Sequence, residues 1–115
     1  VLAEMRDLAD SLNSPATFEF AIDPPYYPAW ETNLNDPLIA RFIAAYTAEA
    51  GHEPEFQYNT GVADTNYFSA DLGIPCIQFG PLGGAYHQAN EWVNIPSIGA
   101  ATRVVLRTAL ETFGS

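Results

Sequence analysis

Apolar residues recur every three or four positions through the opening segment VLAEMRDLADSL, at Leu2, Met5, Leu8, Ala9 and Leu12, while Glu4, Arg6, Asp7 and Asp10 fall elsewhere around the wheel. That period predicts an amphipathic helix. TFEFAI then changes the period, with Phe18, Phe20 and Ile22 alternating against Thr17, Glu19 and Ala21, which predicts a strand with one covered face. The helical period returns at Leu38, Ile39, Phe42, Ile43 and Tyr46. Asn35, Asp36 and Pro37 ahead of it form a start signal, since a side-chain oxygen can cap the first turn and proline there loses no bond. Gly51 supplies the stop. Beyond it the pattern predicts a short strand at EFQYN, residues 55–59, and a helix from Asp64 to Gly73. IPCIQF, residues 74–79, reads as a strand covered on both faces because its apolar run does not alternate. A last helix is predicted from Pro96 to Phe113, burying Ile98, Ala101, Val105, Ala109 and Phe113.

Between the first strand and the second helix lies DPPYYPAWETN, with Pro24, Pro25 and Pro28 and no periodicity. Missing backbone donors unfit it for a helix or sheet interior, so it reads as a linker over residues 23–34, or as an extended arm packed by Tyr26, Tyr27 and Trp30. From residue 35 onward, helices and strands alternate, which predicts an α/β fold: a parallel or mixed sheet covered by helices. Ligands in such sheets gather at the carboxyl ends of strands. Two glycine-rich polar loops fall there, TGVADTN and GPLGGAYHQANE, and both are expected on one edge of the sheet.

An apolar fraction of 48%, with seven Phe, six Tyr and two Trp, is enough for a packed core and excludes a disordered chain. The longest uncharged stretch is broken by Asn, Gln, Gly and Pro, so no membrane span is expected. Fourteen acidic residues face four arginines and no lysine, for a formal net charge of -10. That balance excludes a phosphate-binding surface and nucleic acid as a partner, and its plainest meaning is a solvated acidic exterior. Cys76 is the single cysteine, which rules out an internal disulfide and points to a reducing, cytoplasmic setting. The chain opens at Val1 without a signal-peptide pattern and reads as part of a longer polypeptide.

His87 is the first candidate for chemistry. Neutral imidazole binds zinc at about 2.0 to 2.1 Å, and a loop at a strand's end is a usual place for it, but a lone histidine is more often exposed or structural. Glu91, four residues on, would share a helical face with it, yet the glycines upstream argue for a turn. Asp64 with Thr65 and Asn66 sits where a helix begins, as a cap or as a group offering hydroxyl, amide and backbone N–H to an anionic substrate. His52 is expected to face solvent. No Ser-His-Asp constellation, dinucleotide fingerprint or phosphate loop is evident, and a zinc site takes three protein ligands as its usual minimum, more than this chain offers.

The stretch GVADTNYFSADLGIPCIQFGPLGGAYHQANEWVNIPSI, residues 61–98, resembles the C-terminal part of the zinc-dependent amidohydrolases and metallopeptidases that include acetylornithine deacetylase, succinyl-diaminopimelate desuccinylase, aminoacylase and glutamate carboxypeptidase. An Asp-containing loop, a short helix, a Gly-Ile-Pro strand ending in Phe-Gly-Pro and a His-x-x-x-Glu segment before a terminal helix carry the likeness. It spans nearly the whole chain and the closing part of a family member. It implies a remnant of a lid or dimerisation domain over residues 1–22, a crossing over 23–34, and the C-terminal portion of a zinc-peptidase-like catalytic domain over 35–115.

By that resemblance, His87 is the one metal ligand supplied here for a site of two zinc ions, with cobalt as a possible substitute, and the catalytic base and other ligands lie in another part of the polypeptide. Gly61, Asp64, Thr65, Asn66 and Gly83 are implied to line the substrate pocket, and Glu91 to support the histidine loop from behind. The implied substrates are N-acyl amino acids or small peptides, cleaved at the amide bond, with homodimerisation through the lid. Where many desuccinylases carry Gly-Thr-Ser-Asp followed by Gly and Arg, this chain has Val62, Ala63, Thr65 and Asn66, so a basic contact for a succinyl carboxylate is missing. The isolated chain is expected to be inactive. A non-catalytic interaction or dimerisation module that kept the fold is the competing reading.

Overall fold

The computed structural model describes residues 1–114 as four helices and one small hairpin. Helix α1 spans Leu2–Ser11, α2 Pro37–Ala50, α3 Thr65–Ala70 and α4 Ile95–Phe113; strands β1, Gly83–Gly84, and β2, Trp92–Val93, pair antiparallel between α3 and α4. Helix α2 begins and ends as its sequence predicts. Asp36 is extended and its Oδ1 accepts from the Leu38 N–H at 2.8 Å, Pro37 opens the first turn, and Gly51 closes the helix at φ 78° with its N–H on the Thr47 carbonyl.

Helices α2 and α4 pack together, and their contact is the core: Phe42, Ala45 and Val104 are buried, with Ile43, Tyr46 and Ile77 leaning on them. The small Ala45 and Ala101 let the helix surfaces approach, and an ion pair from Arg103 to Glu49 bridges the pair at its rim, with Nε 2.7 Å from Oε1. This corrects the predicted face of α4. Ala101 is buried and Ala109 half-buried as expected, but Val105 is 56% and Phe113 83% exposed and Ile98 is exposed, while Val104 takes the inward place. Apolar residues occupy two adjacent rows of that helix, and periodicity cannot rank two rows of similar hydropathy; the close fit against Ala45 does.

The parallel or mixed sheet does not form among the described residues. TFEFAI, EFQYN and IPCIQF carry no ladder, and the two-stranded antiparallel hairpin is the whole sheet. Alternation reports how side chains face, whereas a strand also needs a neighbouring backbone about 4.8 Å away to receive its N–H and C=O groups. Phe18 and Phe20 do lie on one side of an extended segment, their rings parallel to within 3° at 6.3 Å. Helix α3 ends at Ala70, before the predicted Gly73.

The proline-rich segment is a docked arm. The Asn66 side chain donates to the Pro28 carbonyl at 2.9 Å, Tyr58 Oη donates to Glu31 at 2.5 Å, the Thr32 hydroxyl donates to the Cys76 carbonyl, and the Tyr27 and Tyr67 rings meet at 5.2 Å. Trp30 is half-buried and Tyr26 exposed. Helix α1, by contrast, buries no residue. No helix among the described residues is long and apolar enough to cross a membrane.

Candidate functional site

The hairpin that carries His87 exists because two of its residues have no side chain. Gly83 pairs with Val93 and Gly84 with Trp92, and a Cβ on Gly83 would stand 2.6 Å from the Trp92 carbonyl oxygen, one on Gly84 2.9 Å from the Trp92 indole nitrogen. The first is a backbone clash that a side chain does not tolerate, while the second would displace the exposed Trp92 indole. The start of α4 holds the hairpin from below. Asn94 N–H donates to the Leu82 carbonyl at 2.8 Å, Leu82 N–H donates to Ser97 Oγ at 2.9 Å, and the Asn94 side chain caps the Ser97 N–H at 3.0 Å.

Between the strands, Ala85, His87 and Asn90 adopt left-handed backbone at φ 56°, 58° and 63°. Such a conformation costs a non-glycine residue on the order of 1 kcal/mol, and its concentration in six residues holds the loop in a shape a relaxed hairpin would not choose. Residues 87–91 form turns, as the upstream glycines predict, so His87 and Glu91 do not share a helical face. The His87 imidazole is exposed, and neither ring nitrogen has a hydrogen-bond partner among the described residues. His52 is also exposed, but its Nδ1 lies 2.9 Å from the Glu53 carbonyl and its ring stands edge-on to Tyr46 at 5.7 Å.

Beside the hairpin runs an open groove of about 970 Å³ with Gly83, Tyr86 and Glu91 on one wall and Asn59 and Gln78 on another. Phe79 lies in it and packs edge-on against Phe42 at 5.1 Å and Tyr46 at 6.0 Å, so its interior is aromatic. Cys76, on the segment behind, is half-buried, and burial pushes its thiol above the ordinary 9.0, which keeps it protonated and unsuited to nucleophilic work.

The second loop, Gly61 to Asn66, is tied to this groove through side chains. Gly61 N–H donates to Asn59 Oδ1 at 2.8 Å, Asn59 Nδ2 donates to Gln78 Oε1 at 2.6 Å, and Gln78 Nε2 donates to Thr65 Oγ1 at 3.0 Å. Asp64 occupies the cap position of α3 without making a cap bond, because its backbone is helical (φ -59°, ψ -23°) where a capping side chain needs an extended residue. Asn66, inside the helix, instead ties the preceding loop and the arm together. Its buried side chain accepts the Ala63 N–H at 2.9 Å while its amide donates to Pro28. Asp64 is left exposed.

The predicted residues therefore fall into four places. Gly83 and Glu91 lie in the groove, Gly61 and Thr65 are bonded to its wall, and Asn66 faces inward to the arm; His87 and Asp64 present free side chains to solvent. Asn59 and Gln78 were not singled out by sequence reasoning. The available signal was Gln78 itself, a polar residue inside the otherwise apolar IPCIQF. An unpartnered imidazole suits zinc as one donor, but no three His, Cys, Asp or Glu side chains among the described residues are grouped to hold an ion. Among the described residues His87 is an unpartnered imidazole and not part of a metal site.

The groove, with its aromatic interior and the side-chain amides of Asn59 and Gln78, lies beside the hairpin that carries the exposed His87. The family model described as Peptidase family M20/M25/M40 matches residues 8–111, and the chain belongs to this family, whose peptidases are metal-dependent and typically use zinc. No solved structure matches the chain.

Proposed function

We propose that this chain is part of a zinc-dependent hydrolase that cleaves the amide bond of N-acyl amino acids or small peptides. The observation that carries the reading is the unpartnered His87 imidazole, held at a strained loop in a chain whose residues 8–111 match a metallopeptidase family. His87 is one metal ligand in this proposal, and the other ligands of a two-zinc site come from another part of the polypeptide. When bound, such ions supply polarisation of the scissile carbonyl and a water of lowered pKa. Residues of this chain bind and orient the substrate: Gly61, Asp64, Thr65 and Gly83 border its pocket, Asn66 fixes the loop they stand on, and Glu91 supports the histidine loop. Residues 1–22 belong to a lid that dimerises, 23–34 to the crossing, and 35–115 to the catalytic domain.

Surface area supports the need for a larger assembly. A compact protein of 12.5 kDa exposes about 6,200 Å², and this one exposes 9140 Å². Family membership favours hydrolysis over a non-catalytic interaction module. The test is an activity panel of N-acyl amino acids and dipeptides on the full-length protein, with zinc content measured before and after chelation. Hydrolysis that follows zinc content supports the proposal; hydrolysis by the 115-residue chain alone with added zinc or cobalt overturns the division of ligands.

A further inference from the structure

We infer that Gln78 is a positioning residue that turns the Thr65 hydroxyl into a hydrogen-bond donor for a substrate oxygen, a carboxylate or carbonyl of the acyl amino acid proposed above; the inference rests on that reading. The argument follows the direction of each bond. A backbone N–H can only donate, so the Gly61 N–H, 2.8 Å from the Asn59 side chain, settles that Asn59 turns its oxygen toward Gly61 and its NH2 away. That NH2 lies 2.6 Å from Gln78, which must therefore offer its oxygen there and its own NH2 on the opposite side. The Gln78 NH2 meets Thr65 Oγ1 at 3.0 Å, so the hydroxyl accepts and its single proton points elsewhere.

Among the described residues that proton has no acceptor. The threonines Thr47, Thr102, Thr108 and Thr112 donate theirs to a carbonyl one helical turn back, an outlet closed to Thr65 because it stands at the first position of α3. Asn59 and Gln78 both border the groove, so the chain of bonds runs from its wall to a hydroxyl with one unspent donor. Three amide groups set this direction without any charge, which suits a chain with four arginines against fourteen acids, none of the arginines standing in this loop or groove.

The inference is tested in the full-length protein with Gln78→Glu, Gln78→Leu and Thr65→Val. An ionised carboxylate at position 78 still accepts from Asn59 but cannot donate to Thr65, and it captures the hydroxyl proton instead. KM for the best panel substrate is expected to rise about tenfold in Gln78→Glu at neutral pH, the loss of one hydrogen bond to a polar or charged oxygen, with kcat changed far less. Thr65→Val should raise KM equally, and adding Gln78→Glu to it should raise KM no further. Relative to the wild type at each pH, the Gln78→Glu defect should shrink as acid protonates the introduced carboxyl and restores a donor. Additive effects of the two substitutions, or a Gln78→Glu defect independent of pH, overturn the inference. Hydrogen exchange across residues 59–66 needs no activity: Gln78→Leu should speed it, and unchanged exchange overturns the bond chain. A full-length protein that hydrolyses nothing overturns the proposed function instead, and exchange still decides on Gln78.

Discussion

At the scale of single residues, the two histidines of this chain differ in what their ring nitrogens already do. His52 is occupied locally, against the Glu53 carbonyl and the face of Tyr46, whereas His87 is held in a left-handed turn with both nitrogens free among the described residues. In the full-length protein, His87→Ala is expected to lose one bound metal equivalent and to lower activity by at least about a hundredfold, as removal of an inner ligand outweighs the 10- to 100-fold loss typical of outer-shell partners. His52→Ala should change neither, and metal analysis beside kinetics reads both. Equal losses in the two variants would remove the ground for choosing between them. The glycines announced the turn, whereas Gln78 passed unremarked inside the apolar run IPCIQF. Asn66 was legible as a residue at a helix start and, by resemblance, of the pocket, but not as the anchor of the arm, because its bond to Pro28 spans 38 positions and no local pattern encodes it.

Elements respond to their ends. The caps of α2 were readable, since Asp36, Pro37 and Gly51 act on backbone groups within a few residues, and each does so in the structure. The cap of α3 was not: Asp64 has the right chemistry but a helical backbone, and Asn66 holds the Ala63 N–H from the far side. Asp36→Ala should therefore cost about 1 kcal/mol of stability, while Asp64→Ala should cost no more than an ordinary surface substitution, within about 0.5 kcal/mol. Urea unfolding of the two variants makes the comparison, and an equal loss would show that Asp64 caps after all. Strands fared worse than helices for a related reason. A helix closes its hydrogen bonds within the segment, so its sequence can specify it, whereas TFEFAI, EFQYN and IPCIQF need a second backbone at their side.

Across the whole molecule, the helix pair α2 and α4 forms the core among the described residues, and an ion pair ties its rim. Arg103 beside Glu49, through a side-chain hydrogen bond first and its charge second, holds that carboxyl below its ordinary value of 4.5. A carboxylate with a lowered folded pKa binds fewer protons folded than unfolded, so it adds stability above about pH 4.5, and the contribution fades as pH falls through the lower folded value. Replacing Arg103 by Gln should lower Tm by a constant small amount at neutral pH, and the difference from the wild type should narrow in acid below pH 4.5. A difference that stayed level through that range in thermal melts would assign the loss to packing of the arginine stem instead. The molecule is also long for its mass, with a radius of gyration of 19.8 Å against about 13 Å for a compact chain of this length. Its helices and arm thus leave much apolar surface uncovered, which the proposed larger assembly would cover.

By itself the sequence determined what acts over a few residues: the bounds of α2 and α4, the glycine-dependent turn around His87, the acidic exterior and the family to which the chain belongs. Tertiary structure alone decided which row of α4 faces α2, that the proline-rich segment is docked through Asn66, Thr32 and Tyr58, and that Asn59 and Gln78 tie the loop of Gly61 and Thr65 to the segment IPCIQF. Local signals survive in a sequence because their partners are neighbours in the chain. A contact such as Gln78 with Thr65 is set by where the whole backbone runs, and no spacing along the chain records it.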